Sequence, residues 1–138
     1  LFDIGQTSPK ENVPWVKSFM TIKDQLDYKF AFCLEGKCIS TNLYWAMSSN
    51  SVCVMPKPKY ESWFMEGKLE DKVHYIEVKD DFSDAREKIE FYINNNDKCL
   101  EIIDNAQKFV KQFKNAKQER LIQLLILKQY FKSTGQNG

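Results

Sequence analysis

A run of polar residues between two apolar segments has the composition of a phosphate-binding turn. The apolar segments are residues 28–34 (YKFAFCL) and 51–55 (SVCVM). The first half of the stretch between them brings charges, hydroxyls, an amide and a flexible backbone through Glu35, Gly36, Lys37, Ser40, Thr41 and Asn42. A helix that begins near residue 40, directly after a strand, would turn unpaired N–H groups and its positive dipole end toward a phosphate. The alternative is that Ser40 or Thr41 only caps this helix, and no glycine-rich nucleotide-binding motif decides between the two interpretations.

Two further polar turns carry candidate ligand-binding groups. Tyr60 and Glu61 follow a double-proline turn and could line a sugar pocket. Asp80 and Asp81 follow the apolar segment 74–78 (HYIEV), where a carboxylate can accept ribose hydroxyls or cap the next helix. The sequence leaves both roles open. The single histidine, His74, is more consistent with a structural role and cannot form a metal site by itself.

These turns need a scaffold that brings them together, and the apolar spacing predicts one. The predicted strands, at 28–34, 51–55 and 74–78, alternate with helices, which is typical of parallel pairing with right-handed crossovers. The first predicted helix is 40–48. The second is capped by Asp81 or Ser83 and has Phe82, Ala85, Ile89 and either Tyr92 or Ile93 on its apolar face. The third has Leu100, Ile103, Ala106, Val110 and Phe113 in register, and the last lies around 121–131. The predicted fold is therefore α/β, a Rossmann-like three-layer domain with a parallel sheet, ending in long helices. In such a fold ligands bind beyond the carboxyl ends of the strands, where loops 35–42, 56–63 and 79–84 are expected to meet.

Composition and charge exclude some classes of partner. The chain has 138 residues, of which 43% are hydrophobic, and this is enough for one folded domain. Twenty basic residues against nineteen acidic ones leave a net charge of +1, so no broad field attracts nucleic acid, and any phosphate site must be local. The four cysteines form no CxxC pair and are expected to be free thiols. Without a signal-peptide pattern or an apolar run of about 18 residues, a cytoplasmic location is predicted.

Three segments of the chain resemble the C-terminal half of the family 90 glycosyltransferases, which include lipopolysaccharide-modifying proteins. They are LEGKCISTNLYWAMSSNSVCVM, the KPKYESWF loop and HYIEVKDDFSDAREKIEF. The resemblance implies a GT-B enzyme without a metal or other cofactor, in which two Rossmann-like domains face each other across a cleft and this chain is the donor-binding half. Glu35 and Gly36 match the acidic–glycine pair that ends the first strand, and Ser40 matches the loop serine. Asn42 stands where many members carry an arginine suited to the diphosphate, so Lys37 would have to supply the charge.

The residues and the resemblance together predict an organisation and a function. Residues 1–27 are predicted to be a loop-rich N-terminal segment, 28–115 a nucleotide-sugar-binding domain, and 116–138 a C-terminal helix that bridges to another domain. The predicted function is transfer of a hexose from a nucleotide diphosphate sugar to a bacterial lipopolysaccharide or surface glycan precursor. The predicted partners are that donor, a glycan or glycolipid acceptor, and an N-terminal domain that holds the catalytic base, with peripheral association of the full protein at the inner membrane face. Two alternatives stay open: a non-catalytic Rossmann-like binding domain and a helical interaction module.

Overall fold

The computed structural model of the chain describes residues 3–5, 7 and 14–136, so parts of the predicted N-terminal segment and residues 137–138 lie outside the described residues. The helices and strands are α1 Ile22–Gln25, β1 Phe30–Phe32, α2 Leu43–Met47, β2 Val52–Met55, β3 Ile76–Glu77, α3 Ala85–Asn94, α4 Asn96–Lys111 and α5 Ala116–Thr134. Short 3₁₀ turns lie at Glu66–Lys68 and Gln112–Lys114. The strands are shorter than the apolar runs that predicted them.

The three strands form a parallel sheet in the order β1-β2-β3. Phe30 pairs with Val52 at one side of the central strand, and Val54 pairs with Ile76 at the other. The predicted α/β arrangement with parallel strands is thereby confirmed. Because all three strands run in the same direction, the loops that follow them leave the sheet at one edge.

The side chains of β2 contribute to a hydrophobic core on each face of the sheet. Val52 and Val54 pack with buried residues of α3 and the first half of α4, whereas Cys53 and Met55 pack with α2 and the second half of α4. Successive side chains of a strand point to opposite faces. A strand that is apolar at every position is therefore typical of a parallel sheet that is covered on both sides.

The structure corrects the predicted start of the first helix after β1. α2 begins at Leu43, and its N-cap position is Asn42 rather than Ser40 or Thr41. No side chain caps α2. The Ser40 hydroxyl instead donates a hydrogen bond to Asn42 Oδ1 (2.5 Å), and Asn42 Nδ2 donates to the carbonyl oxygen of Phe32 (2.8 Å). These side chains therefore hold the end of β1 rather than the start of the helix.

The predicted start of the helix after β3 also needs correction. α3 begins at Ala85 and its N-cap position is Asp84, whereas Asp81 accepts a hydrogen bond from the Ser83 N–H in the preceding turn (3.0 Å). Phe82 lies before the helix in a left-handed conformation with φ of 57°, so it is not part of the apolar face to which it was assigned. Ala85 and Ile89 are buried as predicted, and Tyr92 rather than Ile93 completes the buried face.

The predicted Ala106 and Val110 are buried in the second half of α4, whereas its first half buries a face that is offset by one residue from the predicted one. Its buried residues are Cys99, Ile102, Ala106 and Val110, whereas Leu100 is exposed. The buried thiol explains the offset, because a free cysteine packs as a small apolar residue. As predicted, all four cysteines are free.

α5 is a 19-residue helix that buries none of its side chains. Its exposed apolar residues are Leu121, Ile122, Leu124, Leu125, Ile126, Leu127, Tyr130 and Phe131. At 100° per residue these side chains are distributed around the whole circumference of the helix, a pattern typical of a helix that is buried on all sides. The apolar residues at 121–131 predict a face broader than this domain can cover, and the exposure of these side chains confirms that prediction. None of the helices within the described residues combines the length and apolar composition needed to cross a bilayer.

His74 occupies a structural position in the turn before β3. Its Nδ1 atom accepts a hydrogen bond from the backbone N–H of Glu70 (3.1 Å), and its ring contacts the edge of Phe109 at a centroid distance of 5.3 Å. Burial lowers the pKa of His74. The imidazolium form has no lone pair for the Glu70 N–H, so protonation also breaks this hydrogen bond.

We expect the chain to lose stability as the pH falls below about 6.5, the unfolded value for histidine. Because the pKa of His74 is lower in the folded chain, the unfolded chain binds the proton more readily. The stabilising contribution of the neutral ring is therefore complete above that pH and is lost as the pH falls through the folded-state pKa. The effect is small, since the ring is partly solvated. Urea unfolding between about pH 7.5 and 5.5 measures it. A His74→Gln variant should show a shallower pH dependence, and an unchanged slope would contradict this assignment.

Candidate functional site

A cavity of about 320 Å³ lies at the carboxyl edge of the sheet, where the loops after all three strands meet. The loop after β1 contributes residues 33–36 and Ser40, the end of β2 and the loop after it contribute residues 55–60, and the loop after β3 contributes Asp80 and Phe82. Leu43 and Glu66 complete the lining. This is the edge at which parallel α/β sheets bind their ligands.

Half of the residues predicted to bind a ligand line this cavity. They are Glu35, Gly36, Ser40, Tyr60 and Asp80. The other predicted residues, Lys37, Thr41, Asn42, Glu61 and Asp81, lie in the same loops but are not among the residues that line it. The three loops therefore meet as predicted, but a position in one of them does not by itself bring a side chain to the cavity.

Glu35 joins two of the loops that form the cavity. Its two carboxylate oxygens accept hydrogen bonds from the backbone N–H groups of Lys59 (3.0 Å) and Tyr60 (3.2 Å). Hydrogen bonds to a charged acceptor are stronger than neutral ones. Glu35 therefore fixes the distance between the β1 loop and the β2 loop, rather than pairing with Lys37 across its own turn.

An ion pair links the β2 loop to the β3 loop. Lys59 Nζ lies 2.9 Å from Asp80 Oδ2, and this hydrogen bond raises the pKa of Lys59. Both side chains are exposed, so the pair contributes little to stability. Its effect is on position, because it holds a cation and an anion together at the opening of the cavity.

Phe82 lines the cavity in a backbone conformation that a bulky residue rarely adopts. Its φ is 57°, in the left-handed region that favours glycine. Its backbone N–H donates to the Lys79 carbonyl (2.9 Å), and its ring meets the edge of Phe32 at a centroid distance of 6.3 Å. Strained residues of this kind cluster at ligand sites, where the surrounding contacts hold them in place.

A comparison of two variants measures the strain at Phe82. We expect Phe82→Gly to be more stable than Phe82→Ala by about 1 kcal/mol, because both lack the ring but only alanine retains the cost of the left-handed backbone. Thermal or urea unfolding of the two proteins gives the difference directly. If the alanine variant were equally or more stable, the left-handed conformation would not be the source of strain.

Glu66 is a cavity residue that the analysis of the sequence missed. It is only 3% exposed, and it accepts hydrogen bonds from the Ser62 N–H (2.6 Å) and the Ser62 hydroxyl (2.7 Å). Ser62 Oγ in turn accepts from the Phe64 N–H (3.1 Å). The signal in the sequence is an acidic residue that follows the apolar Phe64 and Met65 and has a serine four residues before it. This pattern is also common in ordinary loops and therefore does not predict a site.

The geometry first defines a class of protein. A parallel α/β sheet with polar side chains around a cavity at its carboxyl edge is the arrangement of α/β ligand-binding domains. Comparison with known proteins then identifies the family, because residues 5–134 match the model of glycosyl transferase family 90. The chain belongs to glycosyltransferase family 90.

Two relatives are similar to most of this chain. The O-glucosyltransferase LpsA of Dichelobacter nodosus is 44% identical over 118 residues, which are 86% of this chain and 37% of that protein. The uncharacterized protein 179R of Invertebrate iridescent virus 6 is 31% identical over 101 residues, which are 68% of this chain and 8% of that protein. The chain thus spans little more than a third of one relative and a small part of the other.

Proposed function

We propose that this chain is the donor-binding half of a GT-B glycosyltransferase that transfers a hexose from a nucleotide diphosphate sugar to a bacterial lipopolysaccharide or surface glycan precursor. The observation that carries the proposal is the cavity at the carboxyl edge of a parallel sheet in a chain that belongs to glycosyltransferase family 90. Because the Dichelobacter relative is an O-glucosyltransferase, glucose is the first candidate for the transferred sugar.

The proposed donor site contains both positive and negative groups. Lys57 and Lys59 line the cavity from the β2 loop and would attract the diphosphate, a role for which lysine supplies a point charge rather than a bidentate fork. Asn42 does not replace the family's arginine in this proposal, because its amide is hydrogen-bonded to the end of β1. Ser40 is buried, and its hydroxyl donates to the Asn42 side chain that is bonded to the end of β1. Glu35 and Gly36 line the cavity beside it.

α5 supports the proposal that further protein accompanies this domain. Its apolar side chains surround the helix and none is buried, and the chain spans only 37% of the Dichelobacter relative. A helix that is apolar on all sides requires a partner on more than one side. In our proposal α5 packs on the N-terminal half of the enzyme, which also supplies the catalytic base and the acceptor site at the inner membrane face.

Titration with nucleoside diphosphates tests the proposed donor site. We expect uridine or guanosine diphosphate to bind with millimolar affinity, equivalent to about 4 kcal/mol, because only one of the two halves is present. Amide signals of the three cavity loops should shift in two-dimensional NMR spectra, whereas the nucleoside without phosphates should bind more weakly. Lys57→Ala should reduce the affinity severalfold, and Lys108→Ala on the exposed face of α4 serves as its matched control. Absence of saturable binding by either diphosphate would contradict the proposal.

A further inference from the structure

The cavity contains a buried acidic side chain with no cationic partner. Glu66 is 3% exposed, and within the described part of the chain no ion pair involves its carboxylate. The other two acidic residues of the lining are already engaged, Glu35 by two backbone N–H groups and Asp80 by Lys59. Glu66 therefore differs from both in its burial and in its partners.

Burial of a carboxylate is costly unless hydrogen bonds replace the lost water. Ser62 supplies two such bonds to Glu66, whereas the two oxygens of a carboxylate offer about four acceptor positions. If the only role of Glu66 were to accept from Ser62, a neutral side chain could perform it without burying a charge. The charge and the remaining acceptor positions indicate that a further donor is present when the cavity is occupied.

The chemistry of the carboxylate selects the kind of ligand group. A phosphate is repelled by it, and no grouping of three His, Cys, Asp or Glu side chains suited to a metal ion occurs among the described residues. Hydroxyl groups are uncharged donors, and two neighbouring hydroxyls can bond to one carboxylate. A sugar ring presents such pairs of hydroxyls.

We propose that Glu66 accepts hydrogen bonds from a pair of neighbouring hydroxyls on a sugar ring of the bound donor, so that the cavity selects a hydroxylated ligand at this point. This inference rests on the proposed function and adds a residue and a substrate feature to it. The hydroxyls belong either to the ribose of the nucleotide or to the transferred hexose, and both present the same chemistry. Ser62 is the positioning residue, because its two donors orient the carboxylate from the side of the protein.

Three ligands distinguish the sources of the hydroxyls. Uridine diphosphate, 2′,3′-dideoxyuridine diphosphate and uridine diphosphate glucose are titrated by NMR into the wild-type chain, with the Ser62 amide signal as the reporter. If the ribose is recognised, removal of its hydroxyls should weaken binding roughly tenfold or more, as expected for loss of charge-assisted hydrogen bonds. If the hexose is recognised, uridine diphosphate glucose should bind roughly tenfold more tightly than uridine diphosphate.

Two variants assign the discrimination to Glu66. Glu66→Gln should reduce to near one the ratio of affinities between the ligand that carries the recognised hydroxyls and the matched ligand that lacks them, while weaker binding of the diphosphate itself persists. As the control, Glu87→Gln on the exposed face of α3 should preserve this ratio. If Glu66→Gln does not fold, the response of the Ser62 amide in the wild-type chain decides the question. It should distinguish uridine diphosphate from its dideoxy analogue if the ribose is recognised, and uridine diphosphate glucose from uridine diphosphate if the hexose is recognised.

The outcomes separate this inference from the proposed function. Equal affinities for all three ligands, a folded Glu66→Gln protein that retains the ratio, or a Ser62 amide that responds equally to all three ligands would overturn the role of Glu66 and leave the donor site intact. Failure of every nucleotide to bind the wild-type chain would overturn the proposed function, and the inference with it.

Discussion

Replacing Leu121, Leu124, Leu125 and Leu127 together by glutamine is expected to convert a self-associating chain into a monomer without lowering its unfolding temperature. Each of these side chains is at least 50% exposed, so none contributes to the core of the domain. A contiguous apolar surface of this kind promotes association when its natural partner is absent. Light scattering or sedimentation velocity at high protein concentration measures the association, and circular dichroism measures the unfolding temperature.

A control variant with three substitutions on the polar residues of α5 separates the effect of its apolar surface from a general effect of multiple substitutions. Gln118, Gln123 and Gln129 lie on the same helix, and their replacement by serine should leave self-association unchanged. A wild-type chain that stays strictly monomeric at high concentration would refute the prediction. A large fall in the unfolding temperature of the leucine variant would show that α5 packs on the domain, contrary to its exposure here.

The largest loss of stability is expected from Val54→Asp. Val54 is completely buried at the centre of β2, where it pairs with Phe32 on one side and Ile76 on the other. An unpaired carboxylate at this position would cost several kcal/mol or more, which is comparable with the total stability of about 5–15 kcal/mol of a typical domain. We therefore expect the variant to be unfolded at 25 °C by circular dichroism.

Two controls define the cause of this loss. Val54→Thr keeps the shape of the side chain and adds one hydroxyl, so it should cost only about 1–3 kcal/mol. Ile126→Asp introduces the same carboxylate on the exposed surface of α5 and should leave the unfolding midpoint of the domain unchanged. A folded Val54→Asp protein with a normal midpoint would contradict the central position of this residue in the core.

The cavity depends on contacts between distant segments, and two of the predicted ligand-binding residues make such contacts. Glu35 contacts a loop that lies 24 and 25 residues further along the chain, and Asn42 contacts the end of the strand that precedes it by 10 residues. Both side chains had been considered as direct ligand contacts. Since each is already hydrogen-bonded to backbone, we regard them as the groups that hold the cavity in shape.

By itself the sequence determined the strands, their parallel pairing and the edge at which their loops meet. These features follow from local patterns: apolar runs of strand length, alternation of strands with helices, and polar residues after each run. The alternation of strands with helices predicted a three-layer domain, in which β2 is covered on both faces. The apolar residues at 121–131 predicted the excess of exposed hydrophobic surface on α5. Such patterns depend on neighbours within a few residues and therefore do not require knowledge of distant contacts.

Only the tertiary structure decided which side chains face the cavity and which hold it together. The sequence predicts Ser40 as a helix-capping or phosphate-binding residue and Asn42 as a phosphate-binding one, but Ser40 donates to Asn42, and Asn42 donates to the end of β1. Phe82 stands at helical spacing from Ala85 and Ile89, yet it lies in the turn before α3, where its backbone is left-handed. Glu66 belongs to the cavity because the chain between β2 and β3 folds back to the sheet edge. The physical reason is that hydrogen bonds and burial between distant segments outweigh local preference, which is worth only about 1 kcal/mol or less per residue.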